Sequence, residues 1–287
     1  MPELPEVQTI VNDLNRIVLN KTIEKIEICL SKIIKCTNKD FYTILKDNSF
    51  KKISRLGKFI IIQLSKKDKY LVIHLRMTGQ IVYVNKGQVI IGSHSTRNNK
   101  FDLPNKQTHL IISFQDQSKL FYNDQRQFGF WQIVNSKGLK EVQGRLGLNP
   151  LDIEFNLSSF KKLLENRKSS IKSFLLNQKY IAGLGNIYTD ESLFKAHILP
   201  FRKINTLTTK EIKKLYKAIK DILNLSIKYR GTTFNNYVDA EGRKGEFIKF
   251  LKVYRKEGKK CSRCQEGIIQ KTKITGRGTR YCSYCQK

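Results

Sequence analysis

Two features of this sequence combine residue types and spacings that can do chemistry. Near the C-terminus, Cys261 and Cys264 form one CxxC pair and Cys282 and Cys285 a second, with seventeen residues between the pairs. Each pair turns two soft thiolates toward one point, and two pairs complete the tetrahedron that Zn2+ favours. With all four positions filled by protein, no corner is left for a water, so one structural Zn2+ is expected. A redox dithiol is the competing use of a CxxC pair. At the other end, Met1-Pro2-Glu3-Leu4-Pro5-Glu6-Val7 would leave Pro2 as a free secondary amine once Met1 is removed. An α-amino group near pKa ~8 is about a tenth neutral at pH 7, whereas a lysine near ~10.4 is neutral in under about one part in a thousand. Attack on a sugar C1′ by such an amine gives an iminium that is already cationic, and Glu3 is placed to supply a proton. The same residues also suit a plain helix start, with Pro5 and Glu6 in a first turn.

The elements that must position these groups are legible in the hydrophobic pattern. Val7, Ile10, Val11, Leu14, Ile17 and Val18 recur at the helical period and predict an N-terminal helix. From about Thr22 to Val134 the chain changes to short runs rich in Ile, Val, Phe and Tyr, such as Phe59 to Leu64, Tyr70 to Leu75, Gln80 to Val84 and His109 to Phe114. These predict an antiparallel β-sandwich, punctuated at Gly57, Gly79, Asn85 to Gly87 and Gln115 to Ser118. Beyond Pro150 the helical period returns, with short helices near Ser158 to Glu165, Ser170 to Gln178 and Asn186 to Ala196 and a long one carrying Ile212, Leu215, Ile219 and Leu223. Gly231 to Gly245 is polar and glycine-bearing and reads as a functional loop. The expected organisation is multidomain α+β: a helix and sandwich over 1–134, a helical DNA-binding domain over 135–230, a loop and connector over 231–249, and a zinc finger over 250–287.

The chain has 287 residues and a formal charge of +30, with 54 Lys or Arg against 24 Asp or Glu. Such a field attracts polyanions, and nucleic acid is the expected partner. Forty of the basic residues are Lys, so compositional bias competes with this reading, but the zinc segment is itself basic: Phe250 to Lys287 holds eleven Lys or Arg against Glu257 and Glu266. The chain opens with no charged leader ahead of an apolar run and contains no apolar stretch of about eighteen residues, so neither a signal nor a membrane span is expected and the location is read as cytoplasmic. In that reducing compartment Cys29 and Cys36 read as packing residues.

In fixed order the sequence carries MPELPEV at its start, Lys58, HLRMTG at His74 to Gly79, DQRQFG at Asp124 to Gly129, AGLGNIYTDE at Ala182 to Glu191, GTTFNNY at Gly231 to Tyr237 and GRGTRYCSYCQ at Gly276 to Gln286. Together these resemble the bacterial formamidopyrimidine-DNA glycosylase family, the 8-oxoguanine glycosylases and abasic-site lyases of the helix-two-turn-helix superfamily. The resemblance spans nearly the whole chain. It implies a helix and β-sandwich, a helix-two-turn-helix domain and a zinc finger acting as a monomer on damaged duplex DNA of the bacterial nucleoid. No redox cofactor is implied. Pro2 would be the nucleophile and Glu3 the acid, with Lys58 and Arg277 assisting elimination. Met77, Arg126 and Phe128 would fill the gap left by an extruded nucleotide, since an enzyme acting on a base must take it out of the stack. Lys58, Asn186 and Arg277 would hold backbone phosphates, Asn186 at a helix N-terminus, with Arg167 and Lys172 adding strand contacts.

The pattern departs from the family at Lys106-Gln107-Thr108-His109, where Gln107 replaces a histidine expected to touch DNA, at Thr78, where some members carry Glu, and at Gln125 and Gln127 around Arg126. Three rivals share parts of the evidence: an endonuclease VIII-like glycosylase for oxidised pyrimidines, a noncatalytic zinc-finger DNA-binding protein, and a zinc-ribbon RNA-binding protein.

Overall fold

Leu4 opens a helix because Pro5 needs no amide partner in a first turn and the amide of Glu3 is held by the Glu6 carboxylate, 2.9 Å away. The computed structural model describes residues 1–66, 68–85, 88–91, 103–232 and 245–287, and within them α1 runs Leu4–Ile17. Its Val7, Ile10, Val11 and Leu14 are buried, as the period requires. The chain forms two compact units, one made of Met1–Gln143 with Tyr229–Ile248 and the other of Gly144–Lys228 with Lys249–Lys287.

The first unit is built on β1 (Ile23–Ile28), β2 (Phe50–Leu56), β3 (Phe59–Leu64), β4 (Tyr70–His74), β5 (Gly79–Asn85), β6 (Gln88–Ile91), β7 (Thr108–Phe114), β8 (Lys119–Asp124) and β9 (Phe130–Val134). They pair antiparallel in two sheets of order β1-β7-β8-β5-β6 and β2-β3-β4-β9, the expected sandwich. Aromatic side chains of the two sheets meet edge to face, Phe50 with Phe114 at 5.9 Å and Tyr122 with Trp131 at 5.5 Å between ring centroids. Cys36 packs against this core as expected, but Cys29 is exposed.

Two helices interrupt the reading of Thr22 to Val134 and its end: α2 (Asn38–Leu45) and α3 (Ser136–Gly144). The hydroxyl of Thr37 accepts from the amide of Asp40 at 3.0 Å and caps α2, whose Phe41 and Leu45 lie one turn apart in the core. Gly79 is the first residue of β5 and not a turn residue.

The second unit holds α4 (Leu157–Leu164), α5 (Ile171–Leu176), α6 (Asn186–Ala196) and α7 (Thr209–Lys228), close to the positions the period predicts. Gly185 is the N-cap of α6. A hairpin of β10 (Ile269–Ile274) and β11 (Arg277–Cys282) ends the chain. Its two-residue turn, Thr275 and Gly276, has φ of 47° and 72°, the left-handed pair that matches strand twist in a tight hairpin. No helix among the described residues is long and apolar enough to cross a membrane.

Candidate functional site

In the first unit the N-terminal group is organised by one carboxylate. Glu3 is buried, at 3% exposure, and Pro2 beside it is half-buried. Glu6 accepts the Glu3 amide on Oε2, while its Oε1 accepts the amide of Thr232 at 2.7 Å and its hydroxyl at 2.9 Å. The start of the GTTFNNY segment is therefore moored to the helix that carries Pro2 and Glu3. Residues 233–244, which contain most of the loop read as a lesion reader, lie outside the described residues.

Lys58 is the second residue of the two-residue turn, Gly57-Lys58, between β2 and β3, and is buried at 8% exposure. His74 pairs with Phe59 across β3 and β4, and its Nδ1 accepts the amide of Arg76 at 2.9 Å. Burial, reinforced by the charges of Arg76 and Lys58, pulls the imidazole down to about 3, so His74 is a neutral acceptor here.

Met77, Arg126 and Phe128 come together. All three are exposed, Met77 at 43% and Phe128 at 54%, which a core role for either would not allow. The Arg126 guanidinium donates to Met77 Sδ at 2.8 Å and lies 4.7 Å from the Phe128 ring centre. Beneath them Asp124 is fully buried. Its Oδ1 accepts from the Thr78 hydroxyl and the Arg126 amide, and its Oδ2 from the Gly129 amide at 2.8 Å and the Tyr122 hydroxyl at 3.3 Å. Burial, with the Asp124 charge beside it, raises the Tyr122 hydroxyl and keeps it a donor. Position 129 admits only glycine, because a Cβ there would lie 1.8 Å from the Tyr122 oxygen. Gln107 is half-buried, its carbonyl accepting the Asp124 amide, and the neighbouring His109 is buried with Nε2 bonded to the Asp124 carbonyl at 2.9 Å.

In the second unit Asn186 begins α6, and its Nδ2 donates to the Gly278 carbonyl at 2.8 Å, next to exposed Arg277. These two predicted phosphate ligands are brought together. Lys172 is a correction: it is fully buried, its ammonium 2.5 Å from Asp190 and 3.3 Å from the Gly278 carbonyl, so it is a structural ion and not a strand contact. Burial pushes the Asp190 carboxyl up to about 6, against the pull of Lys172 and of the Arg280 amide, which leaves it ionised at neutral pH. Arg167 is half-buried with its guanidinium 3.9 Å from the Tyr180 ring centre. Glu191, also buried, accepts the amides of Lys252, Val253 and Tyr254 at 2.9, 3.0 and 2.9 Å and anchors the chain entering the four-cysteine segment.

The four cysteine sulfurs all lie within 4.8 Å of one another. Cys261 and Cys285 are 3.7 Å apart and Cys264 and Cys282 3.8 Å. A tetrahedron with ~2.3 Å zinc–sulfur bonds has edges of about 3.8 Å, so the donor set fits that ion. The Arg263 guanidinium donates to Cys285 Sγ and the Gly267 amide to Cys264 Sγ, the outer bonds a thiolate cluster requires.

Sequence reasoning missed Asp124, Glu6, Asp190 and Glu191 as organisers. A signal existed for two of them: Asp190 and Glu191 are flanked by Ile187 and Tyr188 on one side and Leu193 and Phe194 on the other, which draws the acidic pair toward the core, where a charge needs partners.

Comparison with known proteins accounts for most of the chain. Residues 1–131 match the family model "Formamidopyrimidine-DNA glycosylase N-terminal domain" and residues 146–237 match "Formamidopyrimidine-DNA glycosylase H2TH domain". The chain is 40% identical over 290 residues to the formamidopyrimidine-DNA glycosylase of Pelotomaculum thermopropionicum, covering 100% of this chain and 99% of that one. The formamidopyrimidine-DNA glycosylase of Lactobacillus delbrueckii subsp. bulgaricus is also 40% identical, with 100% of both chains covered. A solved complex of Lactococcus lactis Fpg with DNA containing an abasic site superposes with a TM-score of 0.87 at 32% identity, covering 99% of each chain. Another Lactococcus lactis Fpg complex, with oxidised-pyrimidine DNA, gives a TM-score of 0.85 at 32% identity and covers 100% of both chains.

Proposed function

The chain belongs to the formamidopyrimidine-DNA glycosylase family, and from that membership we propose that it excises oxidised purines, 8-oxoguanine and formamidopyrimidines, from duplex DNA and then cleaves the strand by β,δ-elimination. After removal of Met1, the Pro2 nitrogen attacks C1′ and the C1′–base bond breaks, the base leaving with a proton. The Pro2 nitrogen then gives up its proton, the C1′–O4′ bond opens with a proton taken up by O4′, and the resulting C1′ iminium is the electron sink through which loss of a C2′ proton expels the 3′ phosphate. Glu3 supplies and takes protons at the sugar, and Lys58 assists the first elimination. Arg277 acts in the second by binding phosphate, because a guanidinium gives up its proton poorly. Asn186 holds a phosphate at the N-terminus of α6, with Arg167 and Gln107 adding contacts.

The observation that carries this reading is the exposed cluster of Met77, Arg126 and Phe128 on a buried carboxylate. A flexible apolar filler, a planar donor for an orphaned cytosine and an aromatic wedge suit the gap left by an extruded base. Zn2+ held by Cys261, Cys264, Cys282 and Cys285 supplies folding and no reaction chemistry. The working division is 1–134 for catalysis, 135–230 for helix-two-turn-helix binding, 231–249 for lesion reading and 250–287 for the finger, in a protein acting as a monomer at the nucleoid.

Borohydride trapping on an 8-oxoguanine:cytosine duplex tests the mechanism. The Met1-free protein forms a covalent adduct and a Met1-retaining or N-terminally tagged form does not; absence of the adduct in the former overturns the role of Pro2. Faster excision of thymine glycol than of 8-oxoguanine would instead support the endonuclease VIII-like reading.

A further inference from the structure

We propose that Asp13 and Arg230 are a positioning pair for base release, setting the backbone of residues 229–232 against the helix that carries the nucleophile. The proposal rests on the glycosylase reading above. Asp13 is 1% exposed, so it is not a solvated surface charge. Its Oδ2 lies 2.5 Å from Arg230 Nη2, 217 residues away in sequence, and its Oδ1 lies 3.4 Å from Arg16. Glu6 and Asp13 are seven residues apart, two helical turns, so they share a face of α1 about 10 Å apart along its axis. From that face Glu6 takes Thr232 and Asp13 takes Arg230.

The backbone they hold needs holding. Arg230 has φ 59° and Gly231 φ 81°, two successive left-handed residues, the first of them carrying a side chain. A Cβ at Gly231 would lie 2.8 Å from Glu6 Oε1, so the chain passes hard against the helix. Thr232 bridges antiparallel to Glu246, the Glu246 amide donates to the Tyr229 carbonyl at 2.9 Å, and the Phe247 amide donates to the Gly231 carbonyl at 3.2 Å. Both legs flanking residues 233–244 are thus tied together, and the ion pair orients the tie on α1. Asp13 is the buried member and Arg230 keeps 20% of its side chain exposed, so the pair fixes the geometry chiefly through a carboxylate cut off from water that needs this guanidinium.

Base release depends on how the reading segment meets the extruded base, whereas cleavage at a preformed abasic site has no base to read. Single-turnover base release from an 8-oxoguanine:cytosine duplex and strand cleavage at a preformed abasic site are therefore compared in Asp13→Asn, Arg230→Gln and the double variant. Base release is expected to fall about tenfold in either single variant, with no further fall in the double, while abasic-site cleavage stays within about twofold. Arg230→Lys should recover part of the loss. Unchanged base release in both single variants overturns the proposal, as does an equal fall of both steps accompanied by a lower Tm, which marks a merely structural pair. A wild-type protein that releases no base and traps no adduct removes the glycosylase premise, a result distinct from either.

Discussion

The hydroxyl of half-buried Thr78 donates to the buried carboxylate of Asp124, and this bond ties the turn bearing Met77 to the loop bearing Arg126 and Phe128. The Thr78 oxygen also accepts the Arg126 amide at 3.0 Å, so one hydroxyl aligns both parts of the exposed cluster. Thr78→Val keeps the shape and removes the bond. With ~1.5 kcal/mol for a hydrogen bond to a charged group, excision of 8-oxoguanine should fall about tenfold, and the preference for cytosine opposite the lesion should narrow. Affinity for undamaged duplex, measured beside it, should change little.

Lys172 and Asp190 predict a stability effect remote from any DNA contact. Replacing Lys172 by Ala leaves a buried carboxylate unpaired and should cost about 3–5 kcal/mol in urea unfolding. The double change Lys172→Met with Asp190→Leu removes both charges and should recover most of it. A Lys172→Ala protein of normal stability with a reduced salt dependence of DNA binding would restore the strand-contact role.

His74 predicts a pH dependence. The unfolded chain binds its proton near pH ~6.5 and the folded chain near about 3, so the contribution of this residue is complete above ~6.5 and is lost as pH falls toward about 3. The slope is at most ~1.4 kcal/mol per pH unit. Urea unfolding between pH 7.5 and 4.5 should show it in the wild type and lose it in His74→Gln; identical slopes would assign the acid limb to other groups.

Metal removal has a defined outcome. Denaturing release should yield one Zn2+ per chain, and Cys261→Ser should yield less and unfold the β10–β11 hairpin, since the metal is worth about 10 kcal/mol or more to such a unit. DNA binding should fall with it because Arg277 sits on that hairpin. Full DNA affinity in a metal-free protein would separate the finger from binding.

The elements were legible because their causes are local. The helical period from Val7 to Val18, the alternation of strand runs with turns, and the spacing of Cys261, Cys264, Cys282 and Cys285 each express physics acting over a few residues. The short α2 escaped because a strand-like composition surrounded it and its signal was a single cap, Thr37 with Asp40.

The sequence by itself determined the two-ended chemistry: a potential secondary amine at Pro2, a four-thiolate metal site, and a basic chain between them. Only the tertiary structure decided which charged residues face solvent and which are buried ions. Arg126 and Lys172 look alike in a sequence, yet one lies exposed on Phe128 and the other is sealed against Asp190. Nor could the sequence join Thr78 to Asp124, 46 residues on, or Glu6 to Thr232, 226 residues on. Those pairings exist because burying the sandwich core brings distant backbone together, and a carboxylate cut off from water must find its donors wherever that packing puts them.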